Sequence, residues 1–140
     1  MAKKLHFGVT DVVYGYGSHK STHEVANILE AKYQVIENFV KDNEKEIRAI
    51  LKEQAKRNAR SVVAGRKPSP QGALDQFKKM FKTYILKKSL DGRVKGVPTL
   101  ASLRGVSHRF KKPYARRAPR PSFVDTGLYI SVFKAWIAEE

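Results

Sequence analysis

His19 and His23 stand four residues apart, the spacing at which two imidazoles on one helix face share a metal ion. His23 lies at a helix start, however, and His19 precedes it in a Gly/Ser turn. No third ligand is near, and coincidence is the simpler reading. His6 alternates with apolar neighbours and His108 sits among basic residues. Packing and phosphate contact suit these two better than general-base work. Glu44 and Glu46 are two apart and point to different sides of a helix. Asp125 is the one acid between Gly92 and Ala138. It reads as a cap or an arginine partner, not as half of an acid/base pair. The run Gly15-Tyr16-Gly17-Ser18-His19-Lys20 lacks the spacing of the P-loop and of the dinucleotide fingerprint, so a turn accounts for it. There is no nucleophile elbow, zincin or kinase motif. The absence of cysteine removes disulfides, thiolate zinc sites and cysteine nucleophiles. The expectation is a protein that is not an enzyme and uses no cofactor, metal or small-molecule substrate.

Cationic chemistry remains. Arg104, Arg109, Lys111, Lys112, Arg116, Arg117 and Arg120 are interleaved with Phe110 and Tyr114. Such a segment neutralises phosphates and stacks on bases. It also docks on acidic surfaces of neighbouring subunits. No helix-turn-helix, zinc finger or ribonucleoprotein motif accompanies it. The whole chain follows the same bias, with 28 Lys+Arg against 13 Asp+Glu and a net charge of +15. Residues 54–121 hold 19 of those basic residues and only Asp75 and Asp91, a net of +17, and the remaining 72 residues net −2. A near-neutral frame therefore carries one basic surface.

The elements that must position this charge are partly legible. Residues 5–14 are rich in β-branched and aromatic types and read as a strand. Ser21-Thr22-His23-Glu24 is a capping box before a periodic apolar run of Val25, Ile28, Leu29, Val35, Ile36, Phe39 and Val40. Asn43-Glu44-Lys45-Glu46 is a second start signal, followed by Ile47, Ile50, Leu51 and Ala55. The span 22–63 reads as one bent helix or as two helices joined near Asp42. Gly65-Arg66-Lys67-Pro68-Ser69-Pro70 ends it. Residues 71–88 read as a further helix, with Leu74, Phe77, Phe81, Tyr84 and Ile85 on an apolar face and Lys78, Lys79, Lys82, Lys87 and Lys88 on a basic one. Leu90-Asp91-Gly92-Arg93 is a turn, and Leu100–Leu103 is a candidate short helix. From Arg109 to Pro121 the chain is basic, proline-rich and irregular, an extended arm with no core of its own. Phe123–Ile137 is apolar again. Phe123, Asp125, Leu128, Tyr129, Phe133 and Trp136 are its candidate interface and packing residues, with strand and helix both open.

The length of 140 residues fits one domain, divided into a frame (1–65), a basic helix and arm (66–122) and a C-terminal packing segment (123–140). The expected class is α+β with helix dominating. No apolar run approaches the roughly 20 residues needed to span a bilayer. Met1-Ala2-Lys3-Lys4 is basic, but no apolar signal region follows, so no secretory signal is expected.

Several stretches together resemble small structural proteins of tailed bacteriophage virions. They are Val97-Pro98-Thr99, Arg104-Gly105-Val106-Ser107-His108-Arg109, Lys112-Pro113-Tyr114-Ala115, and Arg120 through Tyr129 with Ser131, Phe133 and Trp136. The turn Asp125-Thr126-Gly127-Leu128 followed by Ser131 is similar to the signature of tail-completion proteins, which sit as rings at the head–tail junction. In that pattern the turn follows the long helix closely, whereas here the basic middle separates them. A position in the tail tube, sheath junction or baseplate is equally compatible. The resemblance implies a virion protein made in the host cytoplasm. It implies a homo-oligomeric ring that touches neighbouring virion proteins, with DNA nearby and no membrane. The alternative expectation is a basic nucleic-acid-binding protein that uses the same arm on phosphates.

Overall fold

The computed structural model describes residues 3–12, 21–99, 102–103, 122 and 128–139. Helix dominates, with a short two-stranded antiparallel sheet, which is the α+β class expected from the sequence. The order is β1 (Lys3–Val9), α1 (Thr22–Tyr33), α2 (Val35–Asp42), α3 (Glu44–Val63), α4 (Gln71–Leu86), α5 (Leu128–Ser131) and β2 (Phe133–Glu139).

β1 and β2 pair from opposite ends of the chain, in a register running from Lys3 opposite Glu139 to Val9 opposite Phe133. The period of two sends Leu5, Phe7 and Val9 inward with Phe133, Ala135 and Ile137. His6, Gly8, Lys134 and Trp136 share the other face. There His6 and Trp136 stack at 5.4 Å, and the Lys134 ammonium lies 5.1 Å from the indole. Gly8 makes room for this, because a Cβ there would come within 3.1 Å of the indole. The expected strand over 5–14 is thus placed two residues early and ends at Val9. The apolar segment after Phe123 contains both of its alternatives in succession, a helical turn and then a strand.

The span 22–63 is three helices, not one or two. Ser21 caps α1 as expected, its side chain accepting from the Glu24 N–H at 3.3 Å. Gln34 then turns into the left-handed region (φ 52°, ψ 50°) and closes α1. It offers no side-chain cap to α2. Glu30 does so instead, its carboxylate accepting from the N–H groups of Ile36 and Glu37. The second capping box does not form. Asn43 turns its amide back to donate to the Phe39 carbonyl and makes no side-chain bond to α3. The break also rotates the apolar faces. Ile28, expected in the stripe, is 49% exposed, while Ala26 and Tyr33 are buried.

The core is aromatic. Phe81 stacks on Phe133 at 4.0 Å, and Phe39 meets Phe81, Tyr84 and Phe133 edge-on. Phe7 adds edge contacts with Phe39 and Phe77. Rings of this kind contribute specific geometry beyond their buried area. α4 supplies Ala73, Phe77, Phe81, Tyr84 and Ile85 to this centre, matching the apolar face read from its spacing. α1 is tied to the stretch after β1 by Thr22, which is fully buried. Its hydroxyl donates to the Thr10 carbonyl and accepts from the Val12 N–H at 2.8 Å.

Candidate anion-binding surface

α3 and α4 form a helical hairpin. α3 ends in a Schellman turn: the Gly65 N–H reaches the Val62 carbonyl at 3.0 Å, and the Arg66 N–H reaches that of Ser61 at 2.7 Å. Gly65 takes φ +74°, a left-handed conformation that suits glycine. Gln54 and Asn58 on α3 hold the turn before α4, Gln54 by donating to the Ser69 carbonyl at 3.0 Å and Asn58 by accepting from the Ser69 N–H.

Each helix turns its cations outward. Lys56, Arg57 and Arg60 on α3, Arg66 and Lys67 in the turn, and Lys78, Lys79 and Lys82 on α4 are all exposed. Lys87 and Lys88 follow at the end of α4, where positive charge complements the helix dipole. The basic face read for residues 71–88 is therefore present. Ion pairs follow a different distribution. Lys41 pairs with Glu37 at 3.1 Å and Arg48 with Glu44 at 2.7 Å, both in the near-neutral frame. From Lys56 to Lys88 no cation pairs with an acid among the described residues. Asp75 is within one turn of Lys78 and Lys79, yet it accepts from Gln71 at 2.7 Å.

α4 ends in a second Schellman turn, with the Lys88 N–H on the Ile85 carbonyl and the Ser89 N–H on that of Tyr84. Lys88 occupies the left-handed position at φ 57°, where Gly65 stands in the first such turn. The following residues fold back through the expected turn at Leu90–Arg93, anchored by buried Leu90 and Val97. Arg93 locks this loop to the helices. Its guanidinium donates twice to Asp42, at 2.7 and 2.9 Å, and the Tyr84 hydroxyl donates to the same carboxylate at 2.6 Å. The Arg93 hydrogen bond holds the Asp42 carboxyl below its usual range. Burial, and then the Asp42 contact, push the Tyr84 phenol up.

The basic arm itself, with Arg104, Arg109, Lys111, Lys112, Arg116, Arg117 and Arg120, lies outside the described residues. So do Phe123, Asp125 and His19. Residues flanking the arm are described. Ser102 and Ser122 are buried side by side, their hydroxyls 3.1 Å apart. Ser122 also accepts from the Thr99 N–H at 3.1 Å, and the Ser102 hydroxyl donates to the Thr99 carbonyl at 2.8 Å. Chain positions on either side of the arm are thus clamped together. Ser122 further shares a shallow hollow with Tyr84, Ile85, Lys88 and Leu90 at the C-terminal end of α4. The clamped pair Ser102 and Ser122 thus stands at the C-terminal end of the basic helix, which no sequence signal announced.

The C-terminal candidates divide. Leu128 opens α5, Tyr129 and Phe133 are core residues, and Trp136 faces outward at 38% exposure. His23 uses its imidazole Nε2 on the Val9 carbonyl at 2.8 Å. Glu44 is occupied by Arg48. Among the described residues no cluster of three or more His, Asp or Glu could hold a metal, and no helix is long and apolar enough to cross a membrane. No family model, curated protein or solved structure matches this chain.

Proposed function

We propose that the chain is a structural subunit of a tailed-bacteriophage virion. In this reading it belongs to a ring in the neck or tail and acts through contacts between subunits. The observation that carries the reading is α3. Of its 20 residues only Ile47 is buried. A helix that buries so little of its surface gains little from its own chain. Its far end presents Val62 and Val63 to solvent, Val63 at 89% exposure. A neighbouring subunit seated there buries both. The two-stranded ribbon adds support, because each strand has an outer edge with no described strand beside it. Two unlike edges suit a head-to-tail contact, which closes into a ring when the rotation permits. The resemblance of Asp125-Thr126-Gly127-Leu128 and Ser131 to the tail-completion signature supports a place in the neck or tail. The tube, sheath junction and baseplate are compatible positions.

Light scattering on the purified chain tests this, with a defined oligomer or recruitment by a partner ring as the expected result. Val62→Asp with Val63→Asp is expected to abolish that assembly while leaving the helical circular-dichroism signal intact. Arg116→Ala, Arg117→Ala and Arg120→Ala together are expected to block particle formation. Normal particles carrying both sets of changes would remove the ring reading.

A further inference from the structure

We propose that the solvent face of α4 and its C-terminal end form a docking surface for the phosphate backbone of double-stranded nucleic acid. The residues are Lys78, Lys79, Lys82, Lys87 and Lys88. Neither this surface nor the ring reading requires the other.

Four features carry it. Lys78 and Lys82 are like charges one helical turn apart, an arrangement that weakens a helix. No described acid relieves them, although Asp75 is within reach on the same helix. Second, Lys88 holds a left-handed conformation (φ 57°) that glycine adopts at less expense. The protein keeps an ammonium where the backbone favours its absence. Third, the composition fits phosphates better than a protein partner. Protein interfaces are depleted in lysine, whereas a phosphate backbone takes lysine and arginine alike. Fourth, the aromatic rings of α4 (Phe77, Phe81 and Tyr84) are all buried. A single-stranded ligand needs exposed rings on which to stack its bases. A duplex needs only charge. The distance from Lys78 to Lys88 is about 15 Å along a helix, over which one duplex strand presents about four phosphates.

The test is fluorescence anisotropy of the full chain with a labelled duplex of mixed sequence, across a salt series. Each phosphate contact adds about 0.9 to the slope of log K against log salt. Lys78→Gln, Lys79→Gln and Lys82→Gln together are expected to make that slope shallower by about 2–3, equally for unrelated sequences. A control triple, Lys32→Gln, Lys41→Gln and Lys45→Gln, removes the same net charge and is expected to change it by less than about 1. Lys88→Gly separates binding from folding: it is expected to raise the melting temperature by about 2–4 °C while lowering the slope by about 1. Three results each overturn the proposal. They are a wild-type slope near zero, equal slopes for the two triple variants, or polyglutamate binding as tightly as the duplex at the same ionic strength.

Discussion

At Asp42 three side chains from distant parts of the sequence meet, and their protonation states make folding depend on pH at both extremes. Arg93 and Tyr84 both donate to this carboxylate. The Arg93 bond, the largest influence, lowers the Asp42 pKa from its ordinary 3.8. A depressed carboxyl stabilises the fold fully above its unfolded pKa, and that contribution is lost as the pH falls through the folded value. Tyr84 behaves in the opposite sense. Burial raises its phenol above the ordinary 10.0. Its contribution is complete below the unfolded pKa and is lost as the pH climbs beyond it. Urea unfolding should therefore show stability falling below about pH 4 and above about pH 10. Asp42→Asn is expected to flatten the acid limb. Tyr84→Phe is expected to flatten the alkaline limb and to cost about 1 kcal/mol at neutral pH. The partnership joins the C-terminal end of α2, the core of α4 and the loop after it. Sequence spacing identified Tyr84 as apolar-face packing but not its hydroxyl's partner, 42 positions away.

At the scale of elements, local signals succeeded where the deciding contacts were local. Phe77, Phe81, Tyr84 and Ile85 recur at helical spacing, and they are the buried face of α4. Ser21 precedes α1 with Glu24 three positions later, and that cap forms. Signals failed where a neighbour decided. Gln34 is no helix breaker by type. The break is held because Glu30, from the preceding helix, satisfies the first amides of α2. Glu30→Ala is therefore expected to destabilise the protein by about 1 kcal/mol, read from the urea midpoint, with a loss of α2 helicity. Asn43 carries the residue type of a cap but finds a carbonyl of α2 nearer than the amides of α3. β2 stayed undecided between strand and helix for a different reason. Phe133, Ala135 and Ile137 alternate with Lys134 and Trp136, but the single helical turn of α5 runs directly into them and blurs the period. The lysines of α4 were visible as a basic face. What the sequence could not show is that they lack acidic partners among the described residues, and that Ser122 lies beside the last of them.

At the scale of the whole molecule, charge and core are segregated. The aromatic centre draws on β1, α2, α4 and β2, while the exposed cations from Lys56 to Lys88, on the α3–α4 hairpin and its end, pair with no acid among the described residues. Phe81→Ala, at the stacked centre of the core, is expected to cost about 3–5 kcal/mol and to shift the thermal midpoint accordingly. Charge substitutions on the hairpin are expected to leave the stability within about 0.5 kcal/mol of wild type.

The ribbon, in turn, governs the order in which the fold can assemble. β1 leaves the ribosome before the described helices, and its partner β2 after them. Pairing Lys3 with Glu139 closes a loop that contains every described helix, and loops of that length make slow, late contacts. Until β2 arrives, Phe7 has no Phe133 to stack on. The α3–α4 hairpin, closed by Gln54 and Asn58 on the nearby Ser69, can gather first. Pulse-labelled hydrogen exchange should find α4 amides protected early and those of the ribbon last. A chain waiting in that state leaves Leu5, Phe7 and Val9 without the strand that covers them.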